Sequence, residues 1–303
     1  MAINTLTYNE NLTGELDRVL VQRSVTGFMA DNVLRAKFVG AKTVLIPDVE
    51  MQGLGDYNRD TGFVRGTVTV ANTPFTLQQD RGRSFTIDAE DADETGVSDL
   101  IGKVSAEFVR TKVIPEMDAY VLSKLGGLAA EQGNLIEGDP ATDAYAMLLS
   151  GIHKAQAAVG YDEELVAFAN STFWEALQKT PELSRTLVMN DFARGDLNVK
   201  VATVNGVSIL PVQEGRMMSA YTFGDGATAG QEEGGFAPAD EAKHIGLIVM
   251  PKKACSLVKK TEKTRIFDPK ENLAADAWKL DYRVYYDAFV KKSYTDAIFS
   301  YTY

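Results

Sequence analysis

Between Asp93 and Leu128 the apolar residues Val97, Leu100, Ile101, Val104 and Phe108 recur at the i, i+3, i+4, i+7 and i+11 positions of one helix face. Ser98, Asp99, Lys103, Glu107 and Arg110 point elsewhere, so the pattern predicts a long amphipathic helix. Asp93 and Thr95 are candidate N-caps, and Glu94 and Asp99 place negative charge near the positive end of the helix dipole. Pro115 lacks the N–H that an interior helical bond needs, which predicts a kink or a restart there. The stripe resumes at Met117, Val121, Leu125 and Leu128, and Gly126-Gly127 is the predicted stop.

Upstream of this spine the period is two. Lys42 to Pro47 reads as a strand, and after the Gly- and Asp-rich stretch 53–62 the alternation resumes at Val68 and Val70, Phe75 and Leu77, then Phe85 and Ile87. The opposite positions, among them Thr67, Thr69, Thr76, Ser84 and Thr86, are polar, so this hairpin cannot form a core of its own. Its cover is expected from a neighbouring subunit. The first forty residues, with Leu16, Val19 and Leu20 in polar surroundings, read as an arm.

Downstream, residues 139–240 read as an α/β unit. A helix from Asp143 to Gly160 places Ala144, Met147, Leu148, Ile152 and Ala155 on one face, Leu165–Ala169 is a buried strand, and Asn170 caps a helix that Pro181 ends. Val199–Val204 and Val207–Val212 flank Asn205-Gly206, the pair that tolerates a tight type I′ turn. The stretch 224–235 reads as a surface loop, and the remaining chain as strands. Ile245–Met250 is apolar on both faces, Ala254–Phe267 carries lysines, and Trp278, Leu280, Tyr282, Val284 and Tyr286 alternate on one face. With the spine helix as their cover, residues 93–137 and 241–303 are expected to form one domain into which 139–240 is inserted.

Composition narrows the function classes. A chain of 303 residues with 45% hydrophobic and 24% charged residues has the makeup of an ordered protein. The start MAINTLTYNE has no basic region followed by an apolar run, and no stretch is long and apolar enough to span a bilayer, so neither secretion nor membrane insertion is expected. The net charge of −11 argues against gripping nucleic acid through its phosphates, although not against enclosing it. Cys255 is the single cysteine, which fits a reducing cytoplasm and reads as a small buried side chain.

Candidate chemistry is sparse. The acidic run Asp88–Glu94 lacks the spacing and the turn glycine of a calcium loop and reads as a solvated lead-in to the helix. His153 and His244 have no serine or cysteine at a suggestive spacing, and the glycines at 53–55 and 224–235 do not follow a strand and open a helix as phosphate cradles do. No catalytic residue, metal ligand or cofactor is expected. Arg81-Gly82-Arg83 is a basic spot that reads either as a charged turn or as a salt-bridge site for a partner's acidic patch.

The order of these elements is specific when taken together with LTGELDRVLVQRSVTGFMADN, GLGDYNRDTGFVRG, QQDRGRSFTIDAEDADETG, VIPEMDAY and LDYRVYYDAFV. The chain resembles, over essentially its whole length, the major capsid proteins of tailed bacteriophages with the Hong Kong 97 capsid fold. The resemblance implies an α+β architecture divided into an N-terminal arm (1–41), an extended hairpin loop (42–92), the spine and the first part of a peripheral domain (93–138), an axial domain (139–240) and peripheral strands (241–303). It implies hexamers and pentamers in an icosahedral shell around double-stranded DNA, built in the host bacterial cytoplasm with a portal and a separate scaffolding protein, and no enzymatic role. The extended loop would touch the adjacent subunit through Tyr57, Arg59, Phe63, Phe75, Leu77, Arg81 and Arg83, while Leu100, Ile101, Val104 and Phe108 would pack the spine.

Two departures matter. Some members join a loop lysine covalently to a neighbour's asparagine, but no lysine lies between Val44 and Gly102. Some carry a long N-terminal scaffolding segment, whereas here the arm starts within a few residues of Met1, hence the expectation of a separate scaffold. An encapsulin-type compartment shares the fold and differs in its contents. A surface carbohydrate-binding module fits the β content and lacks a signal peptide.

Overall fold

The computed structural model describes residues 23–32, 37–39, 42–60, 62–90, 101–181, 188–194 and 197–303. The predicted caps Asp93 and Thr95, the helix residues Val97 and Leu100, and most of the arm lie outside the described residues. The strands are β1 (Lys37–Val39), β2 (Thr43–Met51), β3 (Val68–Thr76), β4 (Gln79–Asp88), β5 (Leu135–Glu137), β6 (Leu165–Asn170), β7 (Val188–Arg194), β8 (Leu197–Val204), β9 (Val207–Val212), β10 (Tyr221–Phe223), β11 (Phe236–Pro238), β12 (Ile245–Pro251), β13 (Cys255–Phe267), β14 (Ala277–Val290) and β15 (Phe299–Thr302). The helices are α1 (Ile101–Phe108), α2 (Ile114–Glu131), α3 (Pro140–Val159) and α4 (Ser171–Lys179).

The spine is broken where proline demands it. A π-helical turn, Val109–Val113, joins α1 to α2 and places Pro115 in the first turn of α2, where its missing N–H costs no bond. The expected stop at Gly126-Gly127 is corrected: α2 runs on to Glu131 and ends in a Schellman motif. Gly133 sits at φ 71° and donates to the Ala130 carbonyl, while Asn134 N–H reaches the Ala129 carbonyl at 2.8 Å. Gly126 serves packing instead, because a Cβ there would lie 2.7 Å from Ile245 Cδ1.

Helix α2 stands between two sheets. On one side is a seven-stranded sheet in the order β5-β15-β12-β6-β9-β8-β7, and on the other a three-stranded sheet, β13-β14-β4. Met117, Val121, Leu122 and Leu125 share one core with Phe168, Leu210, Ile248 and Met250 of the first sheet and with Tyr282, Val284 and Tyr286 of the second. The far face of the seven-stranded sheet carries Ala167, Ile209, Leu247 and Val249, and packs on Leu148 and Ile152 of α3 and Phe173 and Leu177 of α4.

This pairing corrects one expected grouping. The strands of 241–303 do not form one unit, because β12 and β15 lie in the seven-stranded sheet beside β6 and β5, whereas β13 and β14 pair with β4. The reason is visible in β12, where every residue is buried: a strand apolar on both faces needs a core on each side, which the seven-stranded sheet supplies between α2 and the helices α3 and α4. Local signals elsewhere hold. Asn205 and Gly206 adopt φ 50° and 79° in the turn between β8 and β9. The Asn170 side chain accepts from Phe173 N at 2.8 Å to cap α4. Helix α3 starts at Pro140, before the expected Asp143, with Asp139 as its N-cap and Asp143 as a non-helical residue within it.

Two buried carboxylates on or beside α2 tie these parts together. Asp118, with no exposed surface, accepts from Ser24 Oγ (2.9 Å), Val25 N (3.0 Å), Thr26 N (3.2 Å) and Thr26 Oγ1 (2.5 Å), and pairs with Arg216 Nη1 at 2.9 Å. Asp287 on β14, equally buried, accepts from Tyr120 Oη (2.9 Å), Lys124 Nζ (2.6 Å) and Gln78 N (3.1 Å). Burial first, then the Asp287 charge, raises the Tyr120 hydroxyl well above the ordinary tyrosine range, so it remains a donor. Removing one partner of a buried pair strands the other charge, at a cost of about 3–5 kcal/mol. Arg216→Met is therefore expected to lower unfolding stability by that amount in urea titration, and Asp118→Asn by at least as much, because it leaves the buried Arg216 charge without its carboxylate and sets an NH2 donor where an oxygen accepted. An Arg216→Met protein as stable as the parent would show that the pair is dispensable.

Candidate assembly surface

The antiparallel pair β2–β3 projects as a ribbon whose root and outer half use opposite faces. At the root, Val44 stands opposite Phe75; towards the tip, Val49 stands opposite Val70 and Met51 opposite Val68. Directly paired residues share a face and the strand period is two, so Phe75 faces one side and Val68 and Val70 the other. The root face is covered by its own chain: Val44, Leu77, Val258, Tyr285 and Phe289 form a small core, with Phe75 against Phe289 at 4.9 Å between ring centroids. The outer face is bare. Met51 is 70% exposed, Leu54 107% and Phe63 87%, and Val49, Tyr57, Val64, Val68 and Val70 are also exposed.

The tip itself is a built turn. Asn58 and Gly62 exchange backbone hydrogen bonds at 3.2 and 2.8 Å, Gly62 takes φ 82°, and Asp60 N–H is received by Asn58 Oδ1 at 2.8 Å. Tyr57 and Phe63 meet edge to face at 4.9 Å. Several large apolar side chains are thus exposed together on the outer ribbon and its tip, which is unusual for the surface of a lone subunit.

The predicted contact residues divide. Tyr57, Arg59 and Phe63 lie exposed at the tip. Leu77 is 3% exposed, and Phe75 packs on Phe289, so the expectation that another subunit covers them is corrected: the sheet of β13 and β14 covers both. Arg81 and Arg83 also turn inward. Arg81 Nε binds Glu116 on α2 at 2.6 Å, and its other nitrogens reach the carbonyls of Gly224 (2.8 Å) and Gly235 (3.1 Å). Arg83 reaches the Glu232 carbonyl at 3.1 Å. The two arginines clamp the 224–235 loop of their own chain. That loop is further fixed by Asp225, whose carboxylate is held down at about 2 by the Thr228 hydroxyl and by backbone amides. Among the spine residues, Leu100 lies outside the described residues, Ile101 opens α1, Val104 is half-buried, and Phe108 stacks edge-on against Phe85 (4.9 Å) and Tyr282 (5.8 Å).

The sequence pattern does not single out Met51, Leu54 or Val64, although Leu54 and Phe63 inside a Gly- and Asp-rich stretch are the signal that could have found them. Among the described residues no three His, Cys, Asp or Glu side chains are placed to hold a metal ion, and no helix is long and apolar enough to cross a membrane. His153 is exposed on α3, and His244 stacks on Tyr303 at 5.4 Å. Cys255 is fully buried, and burial pushes its thiol up to about 12, far from a reactive thiolate.

The two apolar sets predict opposite outcomes. Leu54→Ser with Phe63→Ser is expected to leave subunit stability within about 0.5 kcal/mol, the range for surface changes away from structural features. Leu77→Ser should lower it by about 2–5 kcal/mol, as loss of a buried leucine does. Urea unfolding of the two proteins side by side checks this, and equal losses would contradict the division of the ribbon.

No family model matches the sequence, and no curated protein matches it. Solved structures do. The capsid structure of the cyanophage P-SCSP1u superposes with a TM-score of 0.61 at 13% identity over 97% of this chain and 92% of that one. A chain of the bacteriophage PhiM1 mature capsid gives 0.59 at 14% identity over 98% and 92%. A structure titled Gordonia phage Cozz gives 0.60 at 13% identity over 97% and 90%. The chain is mixed α+β and has, over nearly its full length, the fold of phage capsid structures.

Proposed function

We propose that this chain is the major capsid protein of a tailed bacteriophage, with the Hong Kong 97 type of subunit, assembling as hexamers and pentamers into an icosahedral head around double-stranded DNA. The observation that carries the reading is the outer half of the β2–β3 ribbon, an apolar surface that its own chain leaves bare on a fold shared with capsid structures. In this reading the ribbon is the extended loop and lies on the adjacent subunit, with Tyr57, Arg59 and Phe63 in the contact and Met51, Leu54 and Val64 added to it. Helix α2 is the spine. The 139–240 unit, with the strands β12 and β15 that its sheet recruits, surrounds the capsomer axes, and the β13-β14-β4 sheet is peripheral.

The acidic balance suits a wall that encloses DNA without adhering to it. The role is structural, the location is the virion, and a scaffolding protein and a portal are the partners in assembly. Each exposed apolar side chain of the ribbon contributes about 1.5–3 kcal/mol once fully covered, so a few of them decide whether subunits associate.

The test is assembly of the purified chain, alone or with its scaffold, followed by electron microscopy and sedimentation. Closed shells or capsomer rings are expected. Deleting residues 53–62 should abolish them while the thermal unfolding of the subunit stays unchanged. A strictly monomeric parent at every concentration, or normal shells without the tip, would overturn the reading. With no lysine between Val44 and Gly102, boiled particles should run on denaturing gels as one band near the chain mass of 33.1 kDa, and a ladder of covalent oligomers would refute the absence of cross-links.

A further inference from the structure

Charge is unevenly placed on this acidic chain. Residues 252–292 carry eleven Lys and Arg against six Asp and Glu, whereas the rest carries twenty against thirty-six. Strand register gathers part of that excess on one face. Paired residues of antiparallel strands share a face. Gly82, Arg283 and Lys263 form one row across the sheet, and Ser84, Asp281 and Arg265 the next. The alternate residues Leu280, Tyr282 and Val284 are buried, so these rows look away from α2.

Within the rows the charges are not balanced. Arg283 Nη2 meets Asp80 at 2.6 Å. Lys263 and Arg265 are exposed and have no ion-pair partner among the described residues. Gly82 leaves a shallow trough of about 330 Å³ between Asp80, Ser84, Asp281 and Arg283. A Cβ at Gly82 would lie 2.8 Å from the Tyr282 carbonyl oxygen, so the trough is a consequence of the backbone approach.

The complement lies on the same chain but out of its own reach. From Met217 to Ala242 there are five Asp and Glu and no Lys or Arg, with Glu233, Asp240 and Glu241 exposed. In one molecule, Arg81 binds the Gly224 and Gly235 carbonyls at the base of this loop. Arg81 pairs with the buried Val284, so it stands on the α2 side of the sheet, opposite the basic rows. The β13-β14-β4 sheet itself lies between the loop and those rows.

We propose that the uncovered end of this face of the β13-β14-β4 sheet, at Lys263, Arg265 and Arg283, beyond the part that the ribbon root covers at Tyr285 and Phe289, docks the acidic 225–241 loop of a second copy of this chain. The contact joins two different patches, the arrangement that closes into rings when the rotation allows. It rests on the assembly reading above and names a second surface for it, distinct from the ribbon.

The experiment measures association of the full chain by sedimentation across salt concentration. Lys263→Glu with Arg265→Glu is expected to lower the association constant about tenfold at low salt, with the difference shrinking as salt rises and thermal unfolding unchanged. Adding Glu233→Lys and Glu241→Lys to the same chain should restore association. Unchanged association of the reversed face while the parent assembles would overturn this inference and leave the shell reading standing. Loss without rescue would also overturn it, by showing that the acidic partner is not this loop. A parent that never associates overturns both.

Discussion

Everything in this subunit hangs on a carboxylate that ought to be expensive. Taking Asp118 out of water costs several kcal/mol unless its lone pairs are filled, and here five donors fill them. The donors come from two places: the 24–26 segment, and the side chain of Arg216 on the connection that leads from β9 into β10. The carboxylate therefore fixes where the N-terminal segment meets α2. Apolar contacts such as Phe28 against Phe168, 6.3 Å apart and nearly parallel, fill in around it but could accommodate a shift that the hydrogen bonds cannot.

Helix α2 is accordingly more than a cover for one sheet. It is a wall common to two, with Asp118 anchoring one side and Tyr120 and Lys124 gripping Asp287 on the other. The Arg81–Glu116 pair adds a third fastening, close to the point where β4 leaves the ribbon. The ribbon is thus fastened at its root at several points, while its outer half leaves its apolar side chains exposed.

Local signals in the sequence were legible where one residue type has one physical use. Asn205-Gly206, the Asn170 cap and the break at Pro115 all appear where the pattern places them. The mixed α+β class and the likeness to phage capsid proteins were legible through a resemblance, and the fold shared with phage capsid structures agrees with that much. What sequence could not supply is which strands share a sheet: β12 reads as central, yet its neighbours are β6 and β15, which long stretches of chain separate from it or from each other. The candidate surface was half legible. Tyr57 and Phe63 stand out as aromatics in a polar stretch, whereas Leu77, Arg81 and Arg83 look equally available and turn out to be used at home, because exposure depends on packing partners far along the chain.

The reversal of faces along the ribbon has a consequence for how such a protein can change over time. Phe75 belongs to the side that packs on β14, and Val68 and Val70 to the other, with an unbroken register between them. One extra residue in either strand would flip that strand's outer half by a full face, setting its apolar residues on the side that Glu50, Thr69 and Ala71 now hold. Length variation among descendants of this chain should therefore collect in the turn beyond Met51 and before Val68, or arrive in the strands two residues at a time. The ribbon carries a parity rule, and drift in its length is permitted only where the rule is kept.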